Sequence, residues 1–114
     1  MTININFEEN SAALKISKDI YLRILAKAIE QTEKDLPELE GWLAEGQFDK
    51  VQTLSHRLKG DFGNLRIMLL SDVAKQLNEL SKTTKDKTQA GQLFNAFKDS
   101  FQQLKQLYQE AMKK

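Results

Sequence analysis

Apolar side chains recur every three or four positions along most of the chain, which places them on one face of an α-helix. A first long helix is predicted between Ser17 as its N-cap and Gly46 as its C-terminal cap, with Asp19 in the first turn. Pro37 lies inside this pattern, and we expect a kink near Leu36 because the period resumes beyond the proline. The apolar positions of this helix are Ile20, Ile24, Leu25, Ala28, Ile29, Leu36, Leu39 and Leu43.

Three further helices are predicted from the same spacing. The second runs from about Phe48 to Leu69, Ser71 caps the third, and the polar stretch 81–88 forms the loop before the last. Together with a short N-terminal segment, they predict an all-α fold: an antiparallel up-down four-helix bundle. Their apolar stripes are Val51, Leu54, Leu58, Phe62, Leu65 and Leu69; Val73, Leu77 and Leu80; and Leu93, Phe97, Phe101, Leu104, Tyr108 and Ala111.

Composition narrows the class of protein. A length of 114 residues fits one domain over positions 1–114. The net charge of +1, with acidic and basic residues interspersed, argues against a nucleic-acid partner. No apolar stretch reaches the roughly 20 residues that span a bilayer, and the N-terminus does not resemble a signal peptide. The absence of cysteine fits an intracellular setting, so we expect a cytoplasmic protein without membrane contact.

The segment SHRLKGDFGNLR, positions 55–66, departs from this regular pattern. On a helical wheel of about 100° per residue, the only histidine, His56, shares a face with one lysine and two glycines, namely Lys59, Gly60 and Gly63. Each glycine inside a helix costs about 1 kcal/mol relative to alanine. Because neither lies on the apolar stripe, we expect both on the solvent side, where they leave the backbone open to a docking macromolecule. The alternative is that they mark a helix end or a local irregularity.

His56 is a candidate nucleophile, because neutral imidazole is competent near neutral pH. A metal site is not expected, since the chain has no second histidine, no cysteine and no carboxylate spaced to join that face. A hydrolytic triad is also not expected, because Ser55 faces elsewhere on the helix. Phosphoryl transfer needs an exposed nitrogen and nearby positive charge, and its metal ion can come from the partner. Lys59 is spaced to hydrogen-bond a phosphoryl group, and Arg66 extends this basic flank along the stripe of Gln52.

The run HRLKG at positions 56–60, followed by Gly63, Asn64 and Leu65, resembles the motif of the histidine-containing phosphotransfer (HPt) domain. That motif is His-x-Leu-Lys-Gly, then small residues, then Asn-Leu. The similarity extends upstream to Tyr21-Leu22, to LPEL at 36–39 and to GQFD at 46–49. HPt domains are four-helix bundles, often with a short additional N-terminal helix, so the resemblance implies both features here.

The resemblance also implies a role for each motif residue. His56 would accept a phosphoryl group from a receiver-domain aspartate and pass it to a second receiver. Lys59 would stabilise the phosphoryl group, and Gly60 would clear room for the receiver. On the following helix, Lys75, Asn78 and Lys82 share one face, and Asn78 is the candidate polar neighbour of the histidine. The predicted receiver-docking residues are Gln52, Gly60, Gly63, Asn64, Arg66 and Asn78.

A phosphocarrier of this kind is not an enzyme and needs no nucleotide site, metal site or cofactor of its own. The resemblance implies that Mg²⁺ sits on the partner receiver domain. The implied partners are response-regulator receiver domains and a hybrid sensor histidine kinase, and we expect a monomer. Three positions depart from the family pattern: Asp61 and Phe62 replace small residues, and Arg66 stands where glycine is frequent.

Three other interpretations are open. A helical-bundle adaptor could dock a receiver or another protein without phosphotransfer, but it would have no use for the His-Lys-Gly face. A kinase dimerisation helix should carry an acidic residue directly after the histidine and a nearby proline, whereas Arg57 follows here and no proline does. The last helix also has the character of a membrane-surface helix. Its apolar stripe is more simply explained as the fourth wall of the core.

Overall fold

The computed structural model describes residues 3–113, and five helices make up most of them. In chain order they are α1, Phe7–Ala13; α2, Lys18–Glu45; α3, Phe48–Asn64; α4, Met68–Lys82; and α5, Lys87–Met112. No strand occurs within the described range. The predicted all-α class and the additional N-terminal helix are therefore confirmed.

The four long helices form a closed ring around one core. Each of α2 to α5 packs against its neighbours in chain order, and α5 returns to α2. Because the connections are short, neighbouring helices run antiparallel, as the apolar pattern predicts. Across the centre of the ring, Phe62 of α3 meets Phe97 of α5 edge-on, with ring centroids 6.0 Å apart. The resulting bundle is elongated, with principal dimensions of 42 × 23 × 23 Å.

The ends of α2 follow the local signals in the sequence. The Ser17 side chain accepts a hydrogen bond from the Ile20 backbone N–H at 3.1 Å, which confirms it as the N-cap. Gly46 adopts φ 71°, the left-handed conformation that closes many helices and that glycine adopts without strain. Pro37 lies within α2, which continues beyond it to Glu45. At the start of α5, the Asp86 side chain accepts hydrogen bonds from the N–H groups of Thr88 and Gln89 and caps the helix.

The N-terminal segment is part of the bundle. Ile3 is buried, and its backbone N–H donates to Gln103 of α5 at 2.8 Å. The buried Tyr21 hydroxyl donates to the Leu65 carbonyl at 2.6 Å and accepts from Asn10 at 3.3 Å. Burial raises the pKa of Tyr21 above its ordinary value of 10.0, and the hydrogen bond from Asn10 opposes that shift. One end of α3 is thereby attached to both α2 and the segment that carries α1.

The predicted end of the second helix is wrong. A helix to Leu69 would place Leu65 and Ile67 about 200° apart, with only one of them facing the core. In the structure α3 ends at Asn64, and Arg66 takes the left-handed conformation with φ 60°. This turn allows both Leu65 and Ile67 to be buried.

Two neighbouring boundaries are also corrected. Ser71 does not cap a helix but lies inside α4, where its N–H donates to the Ile67 carbonyl at 3.2 Å. The loop predicted over 81–88 is shorter, because Ser81 is buried in α4 and the break occupies only residues 83–86.

Throughout residues 3–113, each helix is too short or too polar to cross a bilayer.

Candidate functional site

His56 lies on the outer face of α3, in the middle of the helix, and is exposed to solvent. The opposite face of the same helix is buried in the core, where it contributes Val51, Leu58 and Phe62. This division follows from the apolar period of the segment, which leaves the histidine no place in the interior. An exposed imidazole on a convex helix is accessible to another protein.

The residues nearest His56 on the helical wheel form a low surface, which we call the histidine face: Gln52, Lys59, Gly60 and Gly63. Gln52 and Lys59 are half-buried, and Gly60 is exposed. A Cβ built at Gly60 would meet nothing within 4 Å among the described residues. Gly60 therefore leaves open space beside the imidazole, as its sequence position predicts. Asn64 is exposed one turn further along.

Gly63 has a different environment, and the expectation that both glycines avoid helix packing is wrong for it. A Cβ at Gly63 would lie 3.1 Å from the hydroxyl oxygen of Ser71 on α4. That hydroxyl donates to the Lys59 carbonyl at 2.9 Å, so it cannot move without weakening the bond. Gly63 thus permits the close approach of α4 to α3.

Asn78 does not present its side chain to solvent, so the prediction of a surface docking role for it is wrong. It is only 5% exposed, and its amide donates to the Gln52 backbone carbonyl at 2.8 Å. The sequence correctly indicated a polar side chain on α4 beside the histidine helix. Its burial could not be predicted, because it depends on the rotation of α4. Its face-mates Lys75 and Lys82 are exposed.

Arg66 also lies elsewhere than predicted. Because α3 ends at Asn64, Arg66 does not continue the stripe of Gln52 and Lys59 but projects from the turn that joins α3 to α4. It remains exposed at the end of the bundle. The basic flank next to His56 on this stripe is therefore Lys59 alone.

On the side of α2, the histidine helix makes an ion pair that the apolar pattern of the sequence does not predict. The carboxylate of Asp35 has a relative exposure of only 6%, and it pairs with the guanidinium of Arg57. Gln31 donates to the same carboxylate at 3.1 Å, and Asp61 lies 3.6 Å from Arg57. The sequence contains one indication of this pair: Asp35 is a charged residue directly before Leu36-Pro37, on an apolar face of the helix. Arg57 follows His56 directly, and its guanidinium pairs with the carboxylates of Asp35 on α2 and Asp61 on α3.

No metal centre is apparent in the part of the chain that the structure describes. Among residues 3–113, no group of three or more histidine, cysteine, aspartate or glutamate side chains is placed to hold a metal ion. The carboxylate nearest His56 in sequence, Asp61, faces Arg57.

Comparison of the sequence with known protein families and proteins shows which family the chain belongs to. A model of the Hpt domain matches residues 23–110, which include α3, α4 and most of α2 and α5. No curated protein and no solved structure matched the chain. The match confirms the resemblance carried by the HRLKG motif and covers well over half of the sequence. Hpt domains are phosphocarriers that interact with receiver domains and histidine kinases. The chain therefore belongs to the Hpt domain family, the histidine-containing phosphotransfer modules of two-component signalling.

Proposed function

We propose that this protein is a phosphorelay intermediate in which His56 accepts a phosphoryl group from the aspartate of one receiver domain and passes it to another. The observation that carries the proposal is that the chain's single histidine is exposed within the family match, beside the open position of Gly60. An inert surface histidine would have no reason to be accompanied by a helical glycine that costs about 1 kcal/mol.

The transfer step needs only groups that the two proteins supply. The lone pair of an unprotonated imidazole nitrogen of His56 attacks the phosphorus of the aspartyl phosphate. As the N–P bond forms, the P–O bond breaks and its electron pair leaves with the aspartate carboxylate. Transfer to the second receiver reverses these bond changes on a new carboxylate. Lys59 stabilises the charge on the phosphoryl oxygens by a charge-assisted hydrogen bond.

The docking surface is proposed to be the histidine face together with Asn64, with Arg66 at its edge. The chain contributes no nucleotide site and no metal site in this scheme. Mg²⁺ is bound by the receiver domain, where it neutralises charge on the transferred group. A hybrid sensor histidine kinase supplies the first receiver, a response regulator supplies the second, and the module acts as a monomer.

We further propose that the whole chain is one domain. The family match begins at residue 23, but Ile3 and Phe7 are buried in the same apolar core as the matched helices. The N-terminal segment therefore contributes to the core of the module.

The deciding experiment is phosphotransfer to His56→Gln. Glutamine keeps the size and polarity of an exposed side chain, so we expect a change in unfolding free energy below about 0.5 kcal/mol. Labelling from ³²P-loaded receiver domains should be abolished. Lys98→Gln, an exposed change on α5, should be labelled like the wild type.

Each outcome separates the two candidate functions. Undiminished labelling of His56→Gln would remove His56 as the acceptor. If the wild type bound a receiver tightly but accepted no phosphate from any of them, the non-catalytic adaptor would be the better description.

A further inference from the structure

Two buried polar side chains of α4 donate to backbone carbonyls of α3 on either side of His56. The Asn78 amide donates to the Gln52 carbonyl at 2.8 Å, and the Ser71 hydroxyl donates to the Lys59 carbonyl at 2.9 Å. Both side chains are more than nine-tenths buried. Their acceptors lie four residues before the histidine and three residues after it, so the two contacts bracket its helical turn.

The Gln52 carbonyl has a direct link to the histidine. Within a regular α-helix the N–H of residue i donates to the carbonyl of residue i−4, so the His56 N–H donates to this same oxygen. The Asn78 amide donates to this oxygen at 2.8 Å, whereas the Ser55 hydroxyl lies 3.2 Å from it and makes its shorter bond, 2.7 Å, to the Val51 carbonyl. The hydrogen bonds of Asn78 and of the His56 N–H therefore meet at one atom, and a displacement of Asn78 acts on the backbone of His56 itself.

Neither carbonyl requires these donors, because helix formation already satisfies both. Apolar side chains at positions 71 and 78 would satisfy the interior as well, since replacing a buried polar contact by apolar packing is often nearly neutral in stability. What apolar packing does not supply is register. A shift of one residue along a helix moves the backbone by about 1.5 Å and rotates each side chain by about 100°.

We propose that Asn78 and Ser71 are positioning residues that fix the rotation and height of α3 against α4, and thereby the direction of the His56 imidazole. The proposal rests on the function proposed above, because it concerns the geometry of that transfer. In-line attack requires reacting atoms about 3–3.5 Å apart, and a misplacement of about 1 Å can cost roughly 100-fold in rate.

The test uses Asn78→Leu, Ser71→Ala and the double variant of the full chain. Ser81→Ala is the matched control, because Ser81 is equally buried on α4 but donates to the Leu77 carbonyl of its own helix. Three quantities are measured for each protein: receiver-to-His56 transfer, labelling of His56 by phosphoramidate, and residual dipolar couplings of backbone N–H vectors. The receiver is whichever one labels the wild type fastest.

We expect the double variant to lose more than tenfold in transfer from the receiver while phosphoramidate labelling stays within twofold of the wild type. The small donor tolerates a redirected imidazole, whereas a docked receiver does not. The couplings should report a rotation of α3 relative to α4 that Ser81→Ala does not show. If the two residues had a merely structural role, the double variant would be less stable, but neither receiver transfer nor the orientation of α3 would change in the folded protein.

Two results would overturn the proposal separately: unchanged orientation of α3 in the double variant, or undiminished transfer from a receiver that labels the wild type. If the wild type accepted phosphate from no receiver, the proposed function would fail, and the couplings alone would decide whether the two residues fix α3.

Discussion

The histidine helix is attached to its two neighbours by contacts of different chemistry. On the α4 side, Ser71 and Asn78 donate neutral hydrogen bonds to backbone carbonyls. On the α2 side, the contacts are the ion pair of Arg57 with Asp35 and the hydroxyl of Tyr21, which reaches the carbonyl where α3 ends. The described contacts on the α2 side therefore involve charged or ionisable side chains, whereas the hydrogen bonds of Ser71 and Asn78 on the α4 side involve neutral groups.

The two sides of α3 therefore contribute differently: one side fixes the rotation of the helix, and the other contributes stability that depends on the solution. Contacts to backbone carbonyls hold the rotation of α3 under all ordinary conditions, because neither partner titrates. Contacts through charged or ionisable side chains contribute stability that depends on the solution. We therefore expect the attachment of α3 to respond to salt and alkali through its α2 side, while the direction of His56 depends on the α4 side.

Of the changes that test this comparison, removal of the Arg57 side chain should lower the free energy of unfolding most. Arg57→Ala leaves the carboxylate of Asp35 buried, with Gln31 as its remaining hydrogen-bond donor among the described residues. Breaking a fully buried pair costs about 3–5 kcal/mol, but Arg57 is 44% exposed, so we expect a loss of about 2 kcal/mol. Urea denaturation at low salt and in 1 M NaCl measures it, and the difference from wild type should shrink at high salt.

Arg23→Ala is the matched control, because Arg23 is an exposed arginine of α2 that forms no ion pair within the described residues. Its stability should change by less than about 0.5 kcal/mol at either salt concentration. Equal losses in the two variants would show that the ion pair contributes nothing, and the contrast between the two sides of α3 would fail.

Tyr21→Phe should have a smaller effect at neutral pH and a distinctive one in alkali. Loss of the hydroxyl leaves the Leu65 carbonyl without this donor, which we expect to cost about 1.5 kcal/mol. Burial raises the pKa of Tyr21, so the unfolded chain loses the phenolic proton first as the pH passes 10.0. Wild-type stability from this group is therefore constant below that pH and falls above it.

The comparison with Tyr21→Phe isolates this contribution from the titration of lysines, which both proteins share. The difference in unfolding free energy between them should decrease from pH 9 to pH 11. Tyr108→Phe, at the half-buried second tyrosine, controls for tyrosine ionisation in general. A constant difference between wild type and Tyr21→Phe across this range would refute the burial argument.

Most of the fold could be predicted from local signals. The spacing of apolar residues identified the four long helices, and Ser17 and Gly46 marked the ends of α2 because caps depend on near neighbours in the chain. The junction after α3 could not be predicted in this way. Its turn at Arg66 is stabilised by the burial of residues on both sides, which is a tertiary effect that a helical period does not contain.

In the candidate site too, some properties follow from the local sequence and others depend on tertiary packing. The exposure of His56 and of Gly60 follows from their position opposite the apolar stripe. The roles of Asn78 and Gly63 do not, because each depends on which part of α4 approaches α3. Sequence periodicity assigns a residue to a face of its own helix, and it does not say which neighbouring helix covers the edge of that face.

The two glycines of the histidine face allow the smallest and most local test of this difference. Alanine at either position gains about 0.8–1 kcal/mol of helix propensity. At Gly60 the new methyl group enters open space, so Gly60→Ala should be more stable than wild type by about that amount. At Gly63 the methyl group would press on the Ser71 hydroxyl, which is fixed by its bond to the Lys59 carbonyl.

Gly63→Ala should therefore lose about 1 kcal/mol net, because the packing penalty exceeds the gain in propensity. Thermal unfolding of the two single variants gives the sign of each change directly. Transfer from a receiver should fall in Gly60→Ala in spite of its higher stability, because the methyl group would occupy part of the proposed docking surface. A stabilised Gly63→Ala would mean that α4 can withdraw from α3 without penalty, and Ser71 could then not hold the histidine helix in place.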